Sequence, residues 1–324
     1  MHKNFRTEIS PQKAPLELNH HSNIYLTGSC FTGNIGQKLS DLKFSALVNT
    51  FGISYNPISI HKTLCLNHSS KIESTSVEGI HYSYDFHSEL NSNTKEGLIE
   101  NIDSALKRQE SHLNSESTII ISYGTAWVYE KIEGGELVNN CQKQPSKLFS
   151  KRMLSVEEIV HSWSVTKKHL QERFGQQHYI FTISPVRHLK DGFRENQLSK
   201  STLHLAVNDI CNNHDSCHYF PAYELLIDDL RDYRFYKDDL LHPNTQAINY
   251  IWENFSACYF NKGTILLNEK IQKFKTSLQH RAFQPDSLKH QQFLLKLKSK
   301  IKAFQVANDL DFQKEINFIK SQIV

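Results

Sequence analysis

The chain lacks the marks of a fibrous, disordered or membrane-spanning protein. Only 12 of its 324 residues are glycine and 8 are proline, which excludes collagen-like and low-complexity architectures. No apolar run approaches the ~18 residues that span a bilayer. The amino-terminal stretch shows no apolar h-region of the signal-peptide kind. An excess of one charge is missing too. Against 37 Lys and Arg stand 34 Asp and Glu, a formal net charge of +3, far from the basic field of a dedicated nucleic-acid binder. Cysteine is sparse and scattered, at Cys30, Cys65, Cys141, Cys211, Cys217 and Cys258, with no CxxC pair. That spacing excludes a disulfide scaffold and favours reduced thiols. These absences lead us to expect a soluble cytoplasmic protein with no nucleic-acid or membrane partner; its oligomeric state cannot be read.

What is present is a core. Hydrophobic residues make up 39% and aromatic residues 11%. At ~150 residues per domain the length suits about two domains, or one large α/β domain with appendages. Residues 1–23 are polar, with Pro11 and Pro15, and read as an extended lead-in. Buried strands are expected at Ile24–Thr27, Phe44–Val48, Thr118–Tyr123 and Tyr179–Ile183, each a short β-branched or aromatic run. Helices are expected from about Thr32, from Pro57 through Cys65, from Ser155 to about Phe174, near 196–212, and after Asn244. Ser155 with Glu158 is a capping-box arrangement. Gly134-Gly135 between Ala126–Tyr129 and Glu136–Val138 predicts a hairpin.

Residues 67–116 are rich in Ser, Asn, His and Glu and read as an insert or lid with one helix near 94–113. From about 264 the chain turns Lys- and Gln-rich with helical periodicity, broken at Pro285-Asp286. We expect two or three amphipathic helices there, packed on the core or on a partner. The boundaries are therefore a catalytic domain over 1–263 and a helical C-terminal extension over 264–324. Strands alternating with helices predict an α/β three-layer sandwich around a mostly parallel sheet. In such sheets ligands bind where strands end.

The first strand exit reads Gly28-Ser29-Cys30-Phe31-Thr32-Gly33. A helix opening there aims unpaired N–H groups and its positive end at the turn, so a thiol or hydroxyl gains an oxyanion site beside it. Alternatively, Ser29 is a helix cap and Cys30 a small buried residue. Late in the core, Asp239 and His242 are three apart in D-D-L-L-H-P-N. One turn lets the carboxylate hold the imidazole in the tautomer a general base needs.

Rival signals fail. Gly28 and Gly33 have Walker A spacing, but Asn34-Ile35 stands where Lys-Ser/Thr is required. There is neither a G-x-G-x-x-G nor an H-E-x-x-H motif. Cys211, His214, Cys217 and His218 do not match a zinc pattern and read as ordinary helix-end residues. No metal and no cofactor is expected.

A nucleophile after the first strand combined with D-x-x-H before the last core helix resembles the SGNH/GDSL hydrolase superfamily, whose sheet is flavodoxin-like. The chain is more similar to its GSCFA branch, through Gly28-Ser29-Cys30-Phe31-Thr32, Asn49–Pro57, Gly124–Glu130, Ser184–His188 and Tyr233–Tyr236. The resemblance covers roughly residues 5–258. It places Cys30 where the hydrolases keep their nucleophilic Ser, and Ser29 on their Asp. It thus favours Cys30 as nucleophile, with Ser29 in its place if the turn shifts by one residue.

The resemblance also implies oxyanion donors at the amides near 29–30 and at Gly52. The third-block G-x-N keeps Gly124 but holds Ala126 at the Asn position. Thr125, Asn140 or Asn56 are the candidates to replace that donor. Arg187, His188, Lys190, Arg194 and Lys200 crowd after the fourth strand. They read either as solvated loop charges or as holders of an anionic substrate or acyl-donor phosphates. The implied activity is ester hydrolysis on an acylated carbohydrate or similar small ester. The alternatives are acyl transfer from an acyl-thioester donor, or a non-catalytic carbohydrate-binding module, which Ala126 favours.

Overall fold

The computed structural model describes residues 7–69, 72–280 and 282–323; residues 1–6 of the expected lead-in lie outside them. The first unit is β1 (Ile24–Gly28), α1 (Cys30–Asp41) and β2 (Ala46–Val48), followed by α2 (Pro57–Leu64). The hairpin β3 (Thr75–Val77) and β4 (Ile80–Tyr82) precedes α3 (Lys95–His112). β5 (Thr118–Tyr123) returns the chain to the main sheet. A separate antiparallel sheet follows: β6 (Trp127–Lys131) pairs with both β7 (Leu137–Val138) and β8 (Phe149–Met153). Then come α4 (Val156–Phe174), β9 (His178–Ile183), α5 (Phe193–Asn213) and β10 (Cys217–Tyr219).

The main sheet is fully parallel, in the order β10-β9-β5-β1-β2. The chain steps one way from β1 to β2 and the other way to β5. The crevice beyond β1 and β5 is therefore the topological switch point where such sheets bind ligands. Strand alternation builds the layers. Ile24, Leu26, Ile120 and Ile180 face the cluster that holds Ile35 and Leu39 of α1. Tyr25, Ile119, Ile121, Tyr179 and Phe181 face the cluster of α2, α4 and α5. The fold is a three-layer α/β sandwich.

After β10, the short α6 (Ala222–Glu224) runs into a π turn over Leu225–Leu230. α7 (Thr245–Tyr259), capped by Asn244 as the sequence suggests, packs Ala247, Ile251 and Phe255 into the α1 cluster. α8 (Lys262–Gln279), α9 (Leu288–Asn308) and α10 (Gln313–Ser321) add Ile271, Leu297, Ile301 and Ile316 to that same cluster. The C-terminal helices thus share an apolar core with the sheet. The lead-in crosses the end of α7, with Leu18 bridged to Phe260.

The structure corrects three sequence expectations. α1 starts at Cys30, two residues before Thr32, because Ser29 caps it and accepts from the Phe31 amide. β8 joins the expected hairpin as a third strand. β10, three residues long, falls where Cys217 and His218 read as helix-end residues; so short a strand carries no period.

Candidate active site

The exit of β1 decides which side chain is presented. Gly28 sits at φ +129°, and a Cβ there would lie 2.2 Å from the Ser122 carbonyl oxygen, so only glycine fits this turn. Ser29 follows and turns inward. It is 1% exposed, its Oγ is 2.7 Å from the Ser122 hydroxyl, and it accepts from the Phe31 amide. Ser29 is a buried helix cap, which corrects the reading of it as an alternative nucleophile: a reacting carbonyl has no path to its oxygen. Cys30, the first residue of α1, is half-buried, with Sγ 3.9 Å from the Tyr55 hydroxyl. Among the described residues the Cys30 amide has no acceptor, as the first turn of a helix leads one to expect.

The imidazole arrives from the far end of the core. Asp239 Oδ1 accepts from the amides of Leu241 and His242, each at 2.9 Å, and Oδ2 lies 2.7 Å from His242 Nδ1. Those two backbone donors, then the imidazole, hold the Asp239 carboxyl down to about 2. An ionised Asp239 accepts a hydrogen bond from Nδ1–H, which fixes the tautomer and leaves the Nε2 lone pair free to accept a proton. The loop is fixed by the Lys237 amide donating to the His242 carbonyl (2.8 Å) and by Asn244 Nδ2 donating to the Arg234 carbonyl (2.7 Å).

Cys30 and His242, distant in sequence, line one cleft of about 590 Å³ and, beneath it, one small apolar cavity. Tyr55, Thr125, Trp127, Asn140, Arg187 and His188 share the cleft wall. Tyr55 is the residue the sequence reading missed. Its carbonyl accepts from the amides of Gly124 (2.7 Å) and Thr125 (3.1 Å), and its ring meets His188 edge-on at 5.4 Å. Gly124 lacks a side chain where one would come within 3.0 Å of the Tyr55 ring. Burial and the neighbouring thiol push the phenol up to about 12, so it stays protonated and can donate. Its one signal in the sequence is its place in the loop after β2, inside the Asn49–Pro57 block.

Most of the expected oxyanion donors are engaged elsewhere. The Gly52 amide donates to the Asn49 carbonyl at 2.8 Å, and Gly52 packs against the His87 side chain. The Asn56 side chain caps α2, accepting from the Ser59 amide and donating to the Ser59 hydroxyl. The Gly124 and Thr125 amides hold Tyr55, and the Thr125 hydroxyl is bonded to Ser199 at 3.0 Å. Ala126 is fully buried, with its amide on Ser199 Oγ at 2.7 Å. Asn140 Oδ1 accepts from the Gln142 amide, while its Nδ2 has no acceptor among the described residues. The donors left free in the cleft are the Cys30 amide, the Tyr55 hydroxyl beside Sγ and Asn140 Nδ2.

The basic cluster splits. Arg187, His188 and Lys190 line the cleft. Arg187 has no ion-pair partner among the described residues, so it can meet an anion. Burial holds His188 down to about 4, which leaves it neutral near pH 7. Arg194 points outward and pairs with Glu195 at 3.6 Å. Lys200 is not a substrate-facing charge: it is 1% exposed and donates to the carbonyls of Gly124 and Ser184, each at 2.6 Å. Burial pulls it down to about 7. It pins the exits of β5 and β9 to each other. Among the described residues no group of three or more His, Cys, Asp or Glu side chains is placed to hold a metal ion.

A parallel sheet with a thiol at the exit of its first strand and an Asp–His pair before its last core helix defines a three-layer α/β protein with its candidate site at the strand ends. The family model for the GSCFA family matches residues 23–255, and that for the GSCFA domain protein, C-terminal domain, matches residues 271–324. The chain belongs to the GSCFA family.

Solved structures similar to it include a carbohydrate esterase family 2 enzyme with carbohydrate-binding domain from Corynascus thermopiles (Myceliophthora fergusii). The identity is 14%, the TM-score 0.39, and the match covers 78% of this chain and 66% of that one. A family two carbohydrate esterase from Clostridium thermocellum in complex with cellohexaose matches at 12% identity and TM-score 0.35, over 77% of this chain and 65% of that one. This chain spans just under two thirds of the length of these esterases. No curated protein matches the chain.

Proposed function

We propose that the protein is an acyl-group enzyme in which Cys30 attacks the carbonyl of a small ester, an acylated carbohydrate being the class we favour. His242 Nε2 takes the thiol proton as Sγ bonds to the carbonyl carbon. The oxyanion so formed is met by the Cys30 amide and the Tyr55 hydroxyl. Collapse breaks the C–O bond, and His242 returns the proton to the leaving alcohol. Water, activated by the same imidazole, then cleaves the thioester and regenerates the thiol. Asp239 keeps the ring in its working tautomer throughout.

One observation carries the reading: a half-exposed thiol at a helix start and an imidazole held by a carboxylate line one cleft at the sheet's switch point. Arg187 and Lys190 on the same wall favour an anionic group on the substrate.

Acyl transfer to an acceptor hydroxyl is the second reading. What favours it is the thiol itself, since exchange with an acyl-thioester donor replaces one thioester by another.

The test is incubation of the full chain with short p-nitrophenyl esters, followed by intact mass and peptide mapping. An acyl adduct on Cys30, absent in Cys30→Ala and at least a hundredfold slower to form in His242→Ala, is expected. Absence of any adduct across these esters overturns the reading and leaves a binding module on a degenerate hydrolase fold.

A further inference from the structure

Beneath the open cleft, a second and much smaller cavity of about 20 Å³ has Cys30 and His242 on one wall. Its other walls are apolar: Phe31 and Ile35 from α1, Val186 from the loop after β9, Pro243, and Ile248 and Ile251 from α7. Phe31, Ile35 and Ile251 are 7%, 1% and 3% exposed and belong to the main apolar core. The α1 and α7 side of the cavity is part of that core, and close-packed interiors resist movement.

It is far smaller than the cleft of about 590 Å³ beside it, with room for a short substituent only. A carbonyl carbon bonded to Sγ, with its oxygen turned toward the Cys30 amide and Tyr55, leaves its remaining substituent to enter this space. The walls that substituent meets offer no hydrogen bond except from Asn34 and Ser184. They disfavour a charged chain.

We propose that this cavity is the acyl pocket and that it selects a two-carbon acyl group, an acetyl, over longer chains. The proposal rests on the reading of Cys30 as the acyl-accepting thiol. The step is balanced: the ester C–O bond of an acetylated substrate breaks, a C–S bond forms, and the thiol proton leaves on the alcohol. The alcohol part stays in the wide, cation-bearing cleft above, so the two halves of the substrate are recognised by different chemistry.

The experiment measures the rate of Cys30 acylation of the full chain by intact mass with p-nitrophenyl acetate, butyrate and hexanoate. Each rate is divided by that of the same ester with a free small thiol. Acetate should react at least tenfold faster than butyrate, and hexanoate slower still. Val186→Ala and Ile248→Ala, each removing carbon from one wall, should bring butyrate to within about threefold of acetate. Butyrate or hexanoate reacting as fast as acetate in the unaltered chain overturns the pocket while the thiol chemistry stands. So does an acetate preference that both substitutions leave unchanged. No adduct with any of the three esters removes the thiol chemistry and the pocket with it.

Discussion

The rim of the cleft and the floor beneath it handle the same kinds of polar group in opposite ways. On the rim, His242 and Asp239 keep 38% and 45% of their side-chain surface, Cys30 is half-buried, and Arg187 has no ion-pair partner among the described residues. On the floor, Ser29 and Lys200 are 1% exposed, and each is bonded within the protein. Deeper in the core, between α2 and α4, His61 is sealed between the hydroxyls of Ser162 (2.8 Å) and Tyr123 (2.6 Å), and burial holds it down to about 3. Adjacent residues in sequence, Ser29 and Cys30, fall on either side of this divide. A polar group without a protein partner is tolerable only where water or a ligand can reach it. On the proposed mechanism the rim carries reactivity and the floor carries stability. Substitutions on the rim should change rates at constant melting temperature, and those on the floor should do the reverse.

The sharpest test on the rim is Tyr55→Phe. With Ala126 at the third-block Asn position, the phenol is a side-chain donor beside Sγ, 3.9 Å away. Its loss should slow Cys30 acylation by 10²–10³, about 3 kcal/mol, the usual cost of one oxyanion donor. Alkylation of Cys30 by iodoacetamide, which forms no oxyanion, should be unchanged. Equal slowing of both reactions would make Tyr55 a partner of the thiol instead. Asp239→Asn should follow with a loss of about hundredfold, or ~2.7 kcal/mol, because the amide can favour the wrong imidazole tautomer. Asp239 is held down to about 2, so the native carboxylate stays ionised at every pH where the fold is usable. The rate profile should show no limb from its protonation above about pH 3. Both variants should melt with the parent chain in a thermal scan.

How much of this was legible without coordinates follows the same divide. The strand runs were readable from their own β-branched and aromatic composition, and the Ser155–Glu158 capping box and the Asn244 cap because their partners lie within three residues. Asp239 and His242 were readable for the same reason, and Cys30 from its place at a strand exit. Lys200, read either as a solvated loop charge or as a substrate holder, is neither, because its acceptors are the carbonyls of Gly124 and Ser184, one of them 76 positions away. Gly52 and Asn56 were expected as donors because sequence shows that a donor exists, not whether a carbonyl or hydroxyl already holds it. Tyr55 was passed over because a tyrosine beside an asparagine and a proline carries no local signature. Its approach to Sγ is set by the packing of the β2 and β5 exits against each other.

On the floor, Lys200→Met tests whether the staple between two strand exits is structural. Removing the ammonium relieves a desolvated cation but leaves two buried carbonyls unbonded. An unmade bond of that kind costs about 1–3 kcal/mol, so a net loss of about 2 kcal/mol is expected, read as a melting temperature lower by a few degrees. The pH dependence gives a second readout. The folded value near 7 lies below the ordinary lysine value of about 10.4. Between those limits the unfolded chain binds more protons than the folded one. Stability therefore gains from Lys200 as pH rises from about 7 to 10. The Met variant should lose that rising component, and an unchanged profile would mean that Lys200 keeps its charge when folded.

The smallest expected effect falls on the residue that sits next to the thiol. Ser29→Ala removes a helix cap that accepts from the Phe31 amide at 3.3 Å and strips the Ser122 hydroxyl of its 2.7 Å partner. Cap losses of this kind cost about 1 kcal/mol, measured as a small shift in the denaturant midpoint. Because the Ser29 oxygen faces Ser122 beneath the sheet exit and not the cleft, mass and position of the acyl adduct should stay on Cys30, with a rate within about threefold of the parent. An adduct that vanishes in Ser29→Ala while Cys30 still alkylates would put the reactive oxygen on the floor after all. The separation of reactive rim from structural floor would then be wrong at the one place where the chain crosses it in a single residue.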